Sequence, residues 1–104
     1  MKPWVEHPAA TQELMDAAIF YETHLPGLGE SFKAQADICK SQICETPGLF
    51  PVRFRGVRRC LFPLVFPYAI YFYERENDIV ILAYAHTRRR PNYWRQRLTG
   101  DIPE

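Results

Sequence analysis

The segment YAIYFYERENDIVILAYAH, residues 68–86, decides the fold. Its two halves are dense in aromatic and β-branched residues, and the polar quartet Arg75-Glu76-Asn77-Asp78 separates them. That pattern predicts a β-hairpin with strands over Tyr68–Glu74 and Ile79–Ala85. IVILAYA is apolar throughout, as suits a strand at the centre of a sheet. Strand side chains alternate between faces. On that rule Ile70, Phe72, Ile79, Ile81 and Ala83 form the core set, and Tyr71, Tyr73, Tyr84 and His86 gather on the opposite face. Upstream, Val57–Leu64 reads as a further strand that ends before Phe66-Pro67. Within it Val57, Arg59 and Leu61 alternate with Arg58, Cys60 and Phe62, so either arginine can join the outer face.

Before these strands the period changes from two to between three and four. Ala10, Leu14, Ala17 or Ala18, and Tyr21 make one stripe of a helix from Ala9 to about Thr23, with Pro8 suited to its first turn. Leu28, Phe32, Ala36, Cys39 and Ile43 make the stripe of a second helix, from Leu28 or Gly29 to Glu45. Pro26, Gly27 and Gly29 break the chain between the two, and Thr46-Pro47-Gly48 stops the second. So short a connection makes the helices antiparallel neighbours. KPWVE, residues 2–6, fits a short edge strand, because Pro3 is tolerated only at an edge or a strand start. Beyond His86 the chain is basic, Pro91 ends any strand, and a short helix is expected around Tyr93–Leu98. The predicted fold is α+β, a two-layer sandwich: an N-terminal strand, an antiparallel helical hairpin, then three antiparallel strands. Residues 1–104 are expected to form a single domain whose outer sheet face stays open for a partner.

Composition narrows the function classes. With 47 % hydrophobic residues among 104, the chain can bury a core without disulfides. Cys39, Cys44 and Cys60 are odd in number and are expected to stay reduced. No His/Cys spacing fits a metal, no phosphate loop is present, and no cofactor is expected. The chain lacks an apolar leader and any run of about 20 apolar residues, so it is expected to be cytoplasmic with no membrane partner. The net charge of +1 hides an asymmetry. Residues 1–50 hold three lysines against seven acids, net −4, whereas residues 51–104 hold ten arginines against five acids, net +5. Arginine forks match phosphates and carboxylates, and tyrosines offer apolar area with a polar tip, so the second half carries a recognition chemistry.

Several segments together resemble one family. AATQELMDAAIFYE is similar to the Ala-rich opening helix of the RelE/ParE toxins, and PGLGESF (26–32) to the turn that follows it. FPVRF, VRR (57–59) and FPYAIYF (66–72) resemble the family's strands. ILAYAHTRRRPNYWRQR (81–97) resembles its last strand and tail, with His86, Arg89, Pro91 and Trp94 in matching slots. The resemblance covers nearly the whole chain. It implies a growth-arresting toxin of a type II toxin–antitoxin pair, neutralised by a cognate antitoxin; the apolar outer face is expected to make the lone chain form a homo-oligomer in the antitoxin's absence or need its partner for solubility.

Two targets are implied. ParE-like members inhibit DNA gyrase by binding. RelE-like members cut mRNA on the ribosome, and here His86, Arg59 and Arg89 would be the catalytic set. The modest net charge and the HTRRRPNYW ending favour the ParE-like reading. In either case Arg58, Arg59, Tyr71, Tyr73, Tyr84, Arg88, Arg89, Arg90, Tyr93 and Trp94 are the candidate target- or antitoxin-binding residues. His86 and two of these have structural alternatives: His86 bonded to a backbone carbonyl, Arg89 paired with Glu13 or Glu22, and Trp94 as a lid on the core. A non-toxic nucleic-acid-binding module on the same fold is a third reading.

Overall fold

A computed structural model of the chain describes residues 1–63 and 65–99. Strand β1 (Trp4–Glu6) leads into helices α1 (Pro8–His24) and α2 (Leu28–Glu45). Strands β2 (Val52–Phe54), β3 (Val57–Leu61), β4 (Tyr68–Glu74) and β5 (Ile79–His86) follow, and a 3-10 turn spans Arg95–Thr99. The five strands form one sheet in the order β1-β5-β4-β3-β2. β1 runs parallel to β5, and the other neighbours are antiparallel. The α+β class agrees with the sequence reading, but the sheet has five strands rather than four, with β2 inserted before the three expected ones. The additional β2 is three residues long, too short for alternation to reveal. Its hairpin to β3 turns at Arg55 and Gly56, both with positive φ (44° and 82°), as a two-residue turn of that hand requires. β3 ends at Leu61, and the expected end at Leu64 lies outside the described residues.

The helical hairpin is fixed at both ends. His7 caps α1, its Nδ1 accepting from the Ala9 N–H at 3.0 Å, and Pro8 occupies the first turn. Gly27, with φ 89°, turns the chain into α2. The Glu22 carboxylate reaches over from α1 and accepts from the N–H groups of Gly27 (2.9 Å) and Gly29 (3.1 Å), satisfying donors at the start of α2. Gly29 lets the helices touch, since a Cβ there would lie 2.4 Å from the Ala18 carbonyl oxygen. Phe32 centres the layer below, with the rings of Phe62, Phe66 and Tyr68 at 4.9–5.1 Å. Ile43, Ile70, Phe72, Ile79 and Ile81 complete this core.

The face assignment along β5 needs correction. Tyr71 pairs with Ala83 but Phe72 pairs with Ile81, which leaves Leu82 as the extra residue of a β-bulge. Beyond it the alternation is reversed. Ala83, expected beneath the helices, joins Leu82 on the far face, while Tyr84, expected on the far face, belongs to the helix-side core. His86 pairs with Tyr68 and follows Tyr84 to the helix side.

The far face is also not open. Val57, Val80, Leu82, Ala83 and Trp94 form a second buried cluster flanked by Phe54, Tyr71, Tyr73, Tyr93 and Leu98. The C-terminal stretch folds back across the sheet and lays Trp94, 1 % exposed, on its middle. The large exposed hydrophobics include Met15, Ile19 and Phe20 along α1 and Leu61 at the end of β3. Among the described residues no helix is long and apolar enough to cross a membrane.

Candidate functional site

The candidate residues divide between the two faces of the sheet. On the helix side, the end of β5 and the middle of α1 enclose a groove of about 370 Å³ lined by Glu13, Asp16, Phe20, Tyr68, His86 and Arg89. The His86 ring meets the Tyr68 ring edge-on at 5.3 Å. Its Nδ1 accepts from the Arg88 N–H at 3.0 Å, so a backbone amide rather than the expected carbonyl holds the ring. With Nδ1 an acceptor, the neutral ring carries its proton on Nε2.

Arg89 pairs with neither Glu13 nor Glu22. Its guanidinium lies over the Tyr93 ring at 3.9 Å. Glu13 instead gathers the C-terminal stretch. Its Oε1 accepts from Arg97 at 2.8 Å and from the Tyr84 backbone N–H at 3.2 Å, and its Oε2 from the Tyr93 hydroxyl at 2.6 Å and from Arg97 at 3.0 Å. Arg97 also donates to the Leu82 carbonyl at 2.8 Å. β1 covers the edge of β5 only as far as Ile81. Beyond that point Glu13 and Arg97 take the place of a strand, satisfying one backbone donor and one acceptor of the uncovered edge. Burial, then the Glu13 carboxylate, pushes the Tyr93 hydroxyl well above the usual phenol range.

Tyr84 is unsuited to target contact. It is 1 % exposed, and its hydroxyl donates to the Glu6 carboxylate, which also accepts from the Thr11 hydroxyl at 2.8 Å. The Lys40 ammonium stands 3.8 Å from Glu6 and 4.3 Å above the Trp4 ring. Burial first, then Glu6, holds the Tyr84 hydroxyl far above its ordinary range.

On the far side, Arg59 lies opposite Tyr71, and Tyr71 stacks against Trp94 with centroids 4.9 Å apart and planes at 32°. The Arg59 Nε is buried and has no hydrogen-bond partner, an exception to the usual pairing of buried donors. Tyr73 shares this face beside Val80, its hydroxyl raised by burial. Trp94 closes the cluster as the lid that the sequence offered as its structural role, which removes it from the candidate target contacts. Arg58, paired with Phe72, turns to the helix side and donates to the Phe50 carbonyl at 2.6 Å. Arg88, Arg90 and Arg95 are exposed around the turn that carries Pro91.

The catalytic set expected for RNA cleavage is therefore split. His86 and Arg89 share the helix-side groove with Glu13 and Asp16, whereas Arg59 lies across the sheet. Among the described residues no group of histidine, cysteine and acidic side chains could hold a metal ion. Glu13 was missed as the organising residue because its partners lie 71–84 residues away in sequence. Neither a scan against models of known protein families nor a search of curated proteins finds a match to this chain.

Proposed function

We propose that the chain is the toxin of a RelE/ParE-type toxin–antitoxin pair and that it arrests growth by binding its target, DNA gyrase, while a cognate antitoxin holds it in check. The separation of His86 from Arg59 by the thickness of the sheet carries the choice of binding over cleavage. Cleavage of RNA at a 2′-hydroxyl needs a base, an acid and a cation around one phosphate, within hydrogen-bond reach of the reacting atoms. Groups on opposite faces cannot meet there. The two acids beside His86 also oppose a phosphate in the groove. A binding function needs only surfaces, and two support it: the exposed arginines around Pro91, and the Arg59–Tyr71 region with its unpartnered buried donor. An acceptor supplied by another molecule would complete that donor. The order strand, helix, helix, strands, with the first strand beside the last, supports the toxin reading.

The RelE-like reading rests on one observation, that His86 and Arg89 line one groove. Both readings are tested by expressing the chain alone in bacteria and adding the purified chain to cell-free translation and to gyrase supercoiling. We expect growth arrest, relief by co-expression of a small partner encoded beside it, blocked supercoiling and unharmed translation. Codon-linked mRNA cleavage that His86→Ala abolishes would favour the ribonuclease. Normal growth at every expression level would remove toxicity and leave salt-dependent nucleic-acid binding as the function to test.

A further inference from the structure

All three cysteines are free and buried, and two of them come from opposite layers, Cys39 from α2 and Cys60 from β3. Cys39 lies on the core stripe of α2, and Cys60 on the helix-facing side of β3, paired with Ile70. Each sulfur lies 3.7 Å from one and the same acceptor, the Leu61 carbonyl oxygen. Both side chains belong to the same buried cluster beneath the helices. Proximity of the two thiols holds Cys39 well above its ordinary range, with burial acting the same way, and favours negative charge on Cys60 against the opposing effect of burial. Cys44 stands apart, its thiol raised chiefly by burial.

We propose that Cys39 and Cys60 form a peroxide-responsive dithiol site that oxidises to a disulfide, stapling α2 to β3. The Cys60 thiolate attacks one oxygen of hydrogen peroxide, the O–O bond breaks, and hydroxide leaves with the displaced electron pair, giving the sulfenic acid. The Cys39 sulfur then displaces the hydroxyl of that sulfenic acid, forming the S–S bond. The two thiol protons end in water, so two thiols and one peroxide give one disulfide and two waters, with each sulfur giving up one electron. Neither sulfur is more than 2 % exposed, so oxidation of the native protein proceeds through local opening and is slower than at a surface thiol. The bond would close a loop between segments 21 residues apart and lock the helical layer onto the sheet. This site is independent of the target that the chain binds.

The test uses the purified full chain treated with hydrogen peroxide, alkylated in denaturant and digested with trypsin. Lys40 and Arg59 place the cysteines in separate peptides, 34–40, 41–53 and 60–75. We expect the intact mass to fall by two hydrogens and peptide 34–40 to be joined to 60–75, with Cys44 in 41–53 alkylated. The melting temperature should rise by about 10 °C and return on addition of a thiol reductant. Cys44→Ser should keep the link and the rise, and Cys39→Ser should lose both. An unchanged mass, a link through Cys44, a covalent dimer, or over-oxidation of Cys60 without the link would each overturn the proposal.

Discussion

Glu13→Gln tests the attachment of the C-terminal stretch, which sets what surface the sheet presents. The carboxylate accepts from Tyr93, from the Tyr84 backbone and twice from Arg97, and both ion-pair side chains are 17 % exposed. Gln removes the charge and cannot accept from Arg97 and Tyr93 with the same strength. A net hydrogen bond to a charged group contributes about 1.5–3 kcal/mol, and breaking one side of a fully buried pair costs about 3–5 kcal/mol. Residual exposure here puts the loss at about 2–3 kcal/mol. For a chain of this length that is a fall in melting temperature of about 15 °C. The assay is urea unfolding in a Trp4→Phe background, where Trp94 is the sole reporter. Loosening of the tail should also shift Trp94 emission to the red before the main transition. A loss under about 0.5 kcal/mol with unchanged emission would refute the view that Glu13 fastens the tail.

Four other outcomes are expected. Trp94→Ala removes the lid of the far-face cluster and should cost about 3–5 kcal/mol in denaturant unfolding, and a cost below about 1 kcal/mol would mean that the tail is not packed. Gly29→Ala drives a methyl against the Ala18 carbonyl, so about 1–3 kcal/mol should be lost, and a neutral or stabilising result would contradict the close helix contact. Asp78 is held below the usual carboxylate range, chiefly by its hydrogen bond from Arg75, and so adds stability above pH 4 that disappears as pH falls through its folded value. Asp78→Asn should therefore melt lower than the parent at pH 7 and level with it near pH 2, and a gap that persists at pH 2 would rule out this linkage. Tyr84 and Tyr93 are raised in the fold, so their contribution is complete below about pH 10 and fades above it as unfolded phenols ionise; a melting temperature unchanged between pH 9 and 11 would contradict both shifts.

Much of the fold was legible because long elements carry strong periods. Phe32, Ala36, Cys39 and Ile43 marked the buried stripe of α2, and the polar quartet 75–78 marked the hairpin that orders the sheet. The site was less legible for two reasons. One inserted residue, Leu82, reverses every later side chain of β5, and in an all-apolar strand no polar residue marks where it sits. Tyr84 and His86, two of the four hairpin residues that simple alternation puts on the outer face, therefore belong to the helix side. The lid was visible in Trp94 as a residue, but what fastens it is not. Glu13, Tyr93 and Arg97 are ordinary polar residues in sequence and become a clamp only when the tail meets α1 beside the uncovered edge of β5.

Plasmid topology in bacteria induced to express the chain tests most directly whether growth stops through an occupied enzyme or through cut messages. Linking-number gels should show plasmids relaxing as growth stops, with the messages intact. Plasmids that keep their native supercoiling while messages accumulate cut ends would contradict the binding mechanism and return His86 and Arg89 to a catalytic role.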